Sequence, residues 1–206
     1  FYQQKSCSGG SEVAQLFVKI PRERIGVLIG PDGCVKRYIE RKLSVQLDIE
    51  SQTGDITITQ NKDASDPSLL FKAKDTVLAI GRGFSPERAY KLLEDEDTML
   101  AIIDLREIFG RSPSDIKRIK GRLIGKEGKT RKIMEEMTEA YISVHGHTVS
   151  IIGGVEQAEI AREAINRLIK GSQHVTVYRF LQRKRQELKK RRLELWEGRP
   201  LLPEET

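Results

Sequence analysis

The chain has 206 residues, a formal net charge of +6 and only 6% aromatic residues, a length that suffices for two small domains with separate cores. It contains no apolar run long enough to span a membrane and no segment that resembles a signal peptide. Its cysteines, Cys7 and Cys34, make no metal-ligand spacing, so we expect a cytoplasmic protein with no metal and no cofactor.

The first half of the chain has the pattern of a small domain that contains both helices and strands. Leu16 to Ile20 predicts a short strand, and Pro21 is well placed to begin a helix. A second helix follows Gly33, and residues 45–58 alternate around a central turn, which predicts a hairpin. Apolar residues at helical spacing over residues 69–80 predict a closing helix.

The second half repeats this order of elements. Met99 to Leu105 predicts a strand, and Pro113 to Ile124 is largely helical. Residues 142–151 predict a hairpin with its turn at His145-Gly146-His147, and residues 158–169 predict the last helix. Each half is therefore expected to run strand, helix, glycine loop, helix, two strands and helix.

A Gly-x-x-Gly loop lies between the first two helices of each half. Gly30-Pro31-Asp32-Gly33 recurs 95 residues later as Gly125-Lys126-Glu127-Gly128, and apolar residues precede both loops. Either loop alone could be a simple turn, but a repeated block in matching context indicates a duplicated domain. The glycines allow a tight turn that presents backbone N–H groups at a helix N-terminus, where the macrodipole favours anions. A phosphodiester backbone is therefore the expected ligand.

The sequence does not support an enzymatic function. Gly128-Lys129-Thr130 resembles the end of a P-loop, but Leu123 occupies the position where that motif requires its first glycine. The sequence offers no nucleophile with a base and no pair of carboxylates suited to acid–base chemistry. We therefore expect no enzymatic activity and name no catalytic residue.

Positive charge is concentrated in two places. Asp115 to Lys132 contains eight basic and two acidic residues, whereas the matching window Ile20 to Arg37 contains four and two. Because phosphate contacts supply the sequence-independent part of nucleic-acid affinity, the second loop should dominate binding. In the first loop Pro31 removes a donor and Asp32 repels phosphate. Arg179 to Arg192 carries a local charge of +7 and is either a solvated helix face with one docked side or a further contact surface.

This element order, with these loops, resembles a tandem of type I KH domains. The resemblance implies an α+β fold in which each domain has a three-stranded sheet with three helices on one face, plus a long basic C-terminal helix. Each loop would clamp the backbone of about four single-stranded nucleotides. The expected division of the chain is a flexible lead-in (1–11), a first KH domain (12–83), a linker helix with an acidic run (84–97), a second KH domain (98–171), and a basic helix and tail (172–206).

Two segments narrow the resemblance to one family. Arg118 to Arg131 and Gly171 to Tyr178 are similar to the signature of the Partner-of-Nob-one family of small-subunit ribosome assembly proteins. The complete Gly-x-x-Gly of the first loop is as expected of an archaeal-type member. The resemblance implies a non-catalytic, monomeric factor that binds single-stranded RNA near the 3′ end of small-subunit rRNA. Its expected protein partners are the Nob-one endonuclease and the rRNA dimethyltransferase.

The same resemblance assigns the RNA-binding residues. The main clamp comprises Gly125, Lys126, Glu127 and Gly128, surrounded by Arg122, Lys129, Arg131 and Lys132. Its weaker counterpart comprises Gly30, Pro31, Asp32, Gly33, Lys36 and Arg37. Ile124 and Ile133 are expected to form the floor of the second base groove. The auxiliary basic helix contributes Arg179, Arg183, Lys184, Arg185, Lys189, Lys190, Arg191 and Arg192, which would contact RNA backbone or dock on a protein.

Two other functions remain open on the sequence. The chain could be a regulatory KH protein that binds messenger RNA or single-stranded DNA. It could also be a protein-interaction scaffold whose loops no longer bind RNA.

Overall fold

The chain divides into two compact units, Phe1–Glu94 and Asp95–Thr206. The predicted lead-in (1–11) and the last part of the predicted tail lie outside the described residues. The computed structural model describes three stretches of the chain: residues 14–61, 66–110 and 112–197.

The first unit is built on a three-stranded antiparallel sheet with β3 in the centre. Its principal elements are β1 (Gln15–Lys19), α1 (Arg22–Ile29), α2 (Cys34–Leu43), β2 (Val45–Ile49), β3 (Asp55–Gln60) and α3 (Ser68–Gly81). Ile58 pairs with Leu16 on one side and Leu47 on the other, and its side chain is fully buried. Phe17 pairs with Thr57 on the opposite face of the sheet and is exposed. The alternation of the strands thus assigns one face to the core.

The segment predicted as a linker forms two short helices, α4 (Pro86–Ala89) and α5 (Lys91–Glu94). Phe84, Ala89 and Leu92 are buried, and both helices pack against α3. The acidic run that begins at Glu94 is exposed. The helical part of this segment therefore belongs to the core of the first unit.

The second unit repeats the sheet with β6 in the centre of an antiparallel order β4-β6-β5. Its elements are β4 (Thr98–Asp104), α6 (Leu105–Phe109), α7 (Pro113–Ile124), α8 (Lys129–Thr138), β5 (Tyr141–His145), β6 (Thr148–Gly154), α9 (Val155–Ile169) and α10 (His174–Glu197). The prediction of a helix from Pro113 to Ile124 is confirmed. The predicted α+β architecture with a long C-terminal helix is also confirmed.

The element order predicted for the second half lacked α6. The strand ends at Asp104, one residue before the predicted end, because the Asp104 carboxylate accepts a hydrogen bond from the Arg106 N–H at 2.8 Å. A carboxylate in this position caps a helix and satisfies a donor that the new helix leaves unpaired. Leu105 then turns into the core, where it is fully buried.

The last helix, α10, is docked at its beginning and exposed further on. Val177, Phe180 and Leu181 are buried in the core of the second unit, so the helix has a docked side at its beginning, whereas Leu188 is half-buried. The guanidinium of Arg167 on α9 lies 3.7 Å from the centre of the Phe180 ring, a cation–π contact. Within the described residues no helix, α10 included, is both long and apolar enough to cross a membrane.

Unusual backbone conformations repeat between the two units. The described residues other than glycine that have positive φ are Asp32, Ser44, Glu127 and Glu139, with φ of 50°, 51°, 54° and 59°. They form two pairs, each separated by 95 residues: one inside the glycine loops, the other at the ends of α2 and α8. A left-handed conformation costs such residues about 1 kcal/mol or more, so its recurrence indicates the same local fold in both units.

A glutamate ties the second helix of each unit to the edge strand. The Oε1 atom of Glu40 accepts from the Leu47 N–H at 2.9 Å, and that of Glu135 accepts from the Ile142 N–H at 2.8 Å. β2 and β5 are edge strands, so these N–H groups point away from the sheet and would otherwise lack a partner there. The two bonds fix the distance between helix and edge strand beside each glycine loop.

Replacing Glu135 with alanine should destabilise the second unit by about 1–3 kcal/mol, because the buried Ile142 N–H would lose its acceptor. Glu135→Gln keeps an acceptor oxygen and should cost less than half as much. The free energy of unfolding from denaturant titrations checks both values. Equal losses in the two variants would show that charge, rather than the hydrogen bond, is what the position requires.

Candidate nucleic-acid interface

The two glycine loops have the same backbone conformation. Each is a single 3-10 turn between two helices, Pro31–Gly33 in the first unit and Lys126–Gly128 in the second. The first glycines, Gly30 and Gly125, have φ of 71° and 72°, and the last glycines have φ of 73° and 75°. Both units therefore end one helix and begin the next with the same left-handed backbone.

The first glycine of each loop is also required by packing. A Cβ on Gly125 would lie 2.8 Å from the Cβ of Thr130, and one on Gly30 would lie 3.0 Å from the Cβ of Val35. A Cβ on Gly128 would meet no atom within 4 Å. The first glycine thus lets the following helix pack directly on the loop. The last glycine is required only because its φ is positive.

The predicted clamp residues of the second unit lie on the glycine loop and on the helix ends beside it. Lys126, Glu127, Lys129 and Lys132 are exposed around the loop. The half-buried Ile124 precedes the loop, and Ile133, also half-buried, lies one turn into α8. The exposed cations Lys126, Lys129 and Lys132 thus lie close in sequence to two partly apolar positions, with the Glu127 carboxylate among them. Cations beside an apolar surface are the combination that a backbone clamp with a base groove requires.

Two of the predicted clamp residues also have structural partners. The Nη2 atom of Arg122 donates to the carbonyl oxygen of Ser172 at 2.7 Å. The Nε atom of Arg131 lies 4.0 Å from Oε2 of Glu135, the glutamate that caps β5. Arg122 therefore ties the end of α7 to the segment before α10, whereas Arg131 places a positive charge near Glu135 without a hydrogen bond from its Nε atom.

The first loop has the same shape but a different chemistry. Pro31 contributes neither an N–H nor a positive charge where the second loop has Lys126, whereas Asp32 and Glu127 both carry a carboxylate. The Nη2 atom of Arg37 donates to the Asp32 carbonyl oxygen at 2.6 Å, and the Nζ atom of Lys36 lies 3.8 Å from Glu40. The cations predicted for this site are therefore partly engaged within their own unit.

The start of α10 is hydrogen-bonded to the two helices that flank the second loop. The Tyr178 hydroxyl donates to Oγ1 of Thr130 at 3.2 Å, and Nε2 of His174 lies 3.0 Å from the carbonyl oxygen of Arg122. Sequence reasoning did not find these supporting roles, although Gly171 to Tyr178 stood out as a motif. The motif is explained by contacts with residues about 50 positions earlier in the chain.

Most cations of the auxiliary basic helix face solvent. Arg179, Arg183, Arg185 and Lys190 are exposed, as is Lys189. Nζ of Lys184 contacts the Glu187 carboxylate at 2.7 Å, and this hydrogen bond, with the surrounding cations, lowers the pKa of Glu187. Arg191 pairs with Glu156 on α9 at 3.0 Å, and the side chain of Arg192 lies outside the described residues.

In the stretches that the structure describes, no group of three or more His, Cys, Asp or Glu side chains could hold a metal ion. The turn histidines His145 and His147 are no exception. Nε2 of His147 lies 3.5 Å from Oδ2 of Asp104, which gives this imidazole a carboxylate partner.

Two modules of the order strand, helix, Gly-x-x-Gly loop, helix, two strands and helix define a protein with tandem type I KH domains. Residues 99–186 match the eukaryotic type KH domain (KH domain type I), and residues 30–95 match the Krr1 KH1 domain. The chain is 46% identical over 187 residues to the KH domain-containing protein MJ0443 of Methanocaldococcus jannaschii, covering 91% of this chain and 81% of that protein. The chain belongs to the family of archaeal KH proteins that are related to the PNO1 pre-rRNA-processing proteins.

Two further relatives place the chain within this family. The pre-rRNA-processing protein PNO1 of Candida glabrata is 30% identical over 150 residues, which cover 73% of this chain and 57% of that protein. The chain therefore spans little more than half the length of that relative. The solved structure of the a/eIF2alpha–aDim2p–rRNA complex from Pyrococcus horikoshii matches with a TM-score of 0.79 and 48% identity, covering 84% of this chain and 95% of that one.

Gly125→Ala should destabilise the second unit by about 2–5 kcal/mol, because the new methyl group would overlap Thr130 in a backbone conformation that only glycine adopts easily. Gly128→Ala should cost only about 1–2 kcal/mol, since its Cβ enters open space. Denaturant titrations followed by circular dichroism measure the free energy of unfolding of both variants. A larger loss in Gly128→Ala would contradict the packing role assigned to the first glycine.

Tyr178→Phe should leave the fold intact but loosen the loop, because Thr130 would lose a hydrogen bond worth about 1 kcal/mol. We expect faster amide hydrogen exchange over residues 125–131. Tyr90→Phe, a change of the same size in the first unit, serves as the control and should leave that exchange unchanged. Protection that stays at the wild-type level in Tyr178→Phe would mean that α10 does not support the loop.

Proposed function

We propose that the chain is a non-catalytic RNA-binding factor of ribosome assembly that recognises single-stranded rRNA near the 3′ end of the small-subunit RNA. The observation that carries the proposal is the second glycine loop. It presents exposed Lys126 and Lys129 beside the half-buried Ile124, on a backbone held by the packing of Gly125 against Thr130. The loop thus combines cations for phosphates with an apolar surface for bases.

The relatives support the ribosomal part of the proposal. One related structure is described as a complex with rRNA, and another relative is named as a pre-rRNA-processing protein. The choice of the 3′ end, and of the Nob-one endonuclease and the rRNA dimethyltransferase as partners, follows from the family signature in the sequence. We place the chain in the cytoplasm, where small subunits of an archaeal cell would mature.

The two units are proposed to contribute unequally to RNA affinity. The window around the second loop has six excess positive charges, against two around the first. In the first loop, Arg37 also donates a hydrogen bond to the backbone carbonyl oxygen of Asp32. Each phosphate neutralised adds to affinity through counterion release, so the second loop carries most of the binding. The exposed cations of α10 would extend the contact along the RNA or dock a protein partner.

A titration with a short RNA copied from the small-subunit rRNA 3′ end tests the proposal. Lys126→Asp/Lys129→Asp should weaken binding about tenfold or more and lower the salt slope by about 1.4, since two phosphate contacts are lost. This variant keeps both glycines, so the loop can keep its conformation. Arg41→Asp/Lys42→Asp is the control, because these exposed residues lie at the far end of α2 and carry the same charge change.

Each outcome of this titration distinguishes one of the functions considered. Tighter binding of the rRNA sequence than of a scrambled RNA, with affinity reduced in the loop variant and not in the control, would support the assembly role. Equal affinity for the scrambled RNA would indicate a general nucleic-acid binder and remove the ribosomal assignment. Equal RNA affinity of the loop variant and the control would mean that the loop does not bind RNA. This result would favour a protein-interaction scaffold.

A further inference from the structure

The exposed side of α10 is positively charged over much of its length. On the docked side of this helix, Val177, Phe180 and Leu181 are buried in the core of the second unit. Exposed basic and amide side chains line the opposite side at spacings of three and four residues. We call this set the outer face of α10; it comprises Arg179, Gln182, Arg183, Gln186, Lys189 and Lys190.

Contacts with α9 hold α10 in place along this face. The guanidinium of Arg167 lies over the Phe180 ring, and Nη1 of Arg191 donates to Oε1 of Glu156 at 3.0 Å. Arg167 and Glu156 are 11 residues apart on α9, and Phe180 and Arg191 are 11 residues apart on α10. The two helices therefore run antiparallel over about 17 Å. The outer face thus belongs to a packed helix, and its side chains project from fixed positions.

The outer face keeps a net positive charge. From Arg179 to Lys190 the sequence contains one acidic residue, Glu187. Its carboxylate accepts a hydrogen bond from Nζ of Lys184 at 2.7 Å, and this bond lowers the pKa of Glu187. Because Lys184 lies outside the outer face, the carboxylate is matched by a cation that the face does not supply. A face of this charge favours an anionic ligand.

The outer face lacks the side chains that bind unpaired bases or a protein. Phe180 and Leu181 are buried in the core, and Leu188 is half-buried. Unpaired bases stack mainly on aromatic side chains, and the centre of a protein interface is enriched in aromatic residues and depleted of charge. Arginine, lysine and glutamine instead contact phosphate and sugar oxygens. The ligand that fits is base-paired RNA, which presents phosphates and 2′-hydroxyl groups on its outside.

The outer face begins beside the second glycine loop. Tyr178 donates to Thr130, which packs on Gly125, and Arg179 is the next residue along α10. Lys189 lies ten residues beyond Arg179, a rise of about 15 Å along the helix. Single-stranded and base-paired segments of one RNA can therefore occupy neighbouring surfaces of the second unit.

The later part of α10 contributes to this face rather than to the core. The KH domain matched by the second unit ends at residue 186, whereas α10 continues to Glu197. Among the described side chains after Leu181, none is buried. The extension of the helix therefore lengthens a charged surface that the fold of the domain does not require.

We propose that the outer face of α10 binds the phosphate backbone of a base-paired RNA stem that adjoins the single strand clamped at the second glycine loop. Arg179, Arg183 and Lys189 contact phosphates of the stem. Gln182 and Gln186 donate to phosphate or ribose oxygens. The inference rests on the proposed function, and it makes the junction between a stem and a single strand the RNA structure that the second unit recognises.

The test compares two RNAs in the full chain. One is the single-stranded rRNA 3′-end RNA, and the other is the same strand joined to a ten-base-pair hairpin stem. The stem should raise the affinity of the wild type about tenfold. Arg179→Gln/Arg183→Gln should weaken binding of the stem-bearing RNA about fivefold and lower its salt slope by about 1.8, since two phosphate contacts are lost. Its affinity for the single strand should change less than twofold.

Two controls accompany this comparison. Arg162→Gln/Lys170→Gln removes the same charge from exposed positions of α9 and its end, and should leave the affinity for both RNAs unchanged. Replacing every base pair of the stem should preserve the gain in affinity, because phosphate contacts carry no sequence information. Equal midpoints of thermal unfolding verify that the variants, which change exposed side chains only, remain folded.

Three results would overturn the proposal. Equal weakening of both RNAs by Arg179→Gln/Arg183→Gln would mean that these cations act only through long-range attraction. A gain from the stem that this variant retains would place the stem on another surface. A wild type whose affinity the stem does not raise would assign the outer face to an acidic protein partner. Failure of the proposed function is distinct, since Lys126→Asp/Lys129→Asp would then bind the single strand as tightly as the wild type does.

Discussion

The missing Cβ at the first glycine of each loop is the constraint on which both modules depend. Because Gly125 has no side chain, the first turn of α8 packs directly on the loop, with Thr130 in the space that a methyl group would fill. This contact fixes the direction of α8, and the direction of α8 brings Glu135 to the N–H of Ile142 on the edge strand. One absent methyl group therefore sets the loop, the helix after it and the strand that borders the groove.

In the two modules, the residues that set the shape of the glycine loop differ from those that set its charge. Their loops share the same dihedral angles, although Pro31 and Asp32 stand where the second loop has Lys126 and Glu127. The glycines and the glutamate tie maintain the shape, so the variable positions can change charge without changing the fold. A module can thus keep the KH architecture while the charge of its loop changes, so the shape of the loop alone does not predict RNA binding.

Much of this structure could be predicted from the sequence, because local patterns determine it. The duplicated loops, the helix from Pro113 to Ile124 and both hairpins follow from glycine placement and hydrophobic period. Helix α6 could not be predicted, since it depends on Asp104 capping a turn that interrupts an apparent strand. The contacts of Arg122 with Ser172 and of Tyr178 with Thr130 join residues about 50 positions apart, and no local pattern encodes such pairs.

The hydrogen bonds between the start of α10 and the helices beside the second loop have a consequence for the synthesis of the chain. All principal elements of the first module lie before residue 95, so that module can complete its packing while the rest is still being translated. The second loop is complete in sequence at Gly128, yet its supports Ser172, His174 and Tyr178 emerge more than 40 residues later. The module with the more basic loop is therefore the later of the two to mature, and in a nascent chain this loop lacks its contacts with α10 until α10 docks.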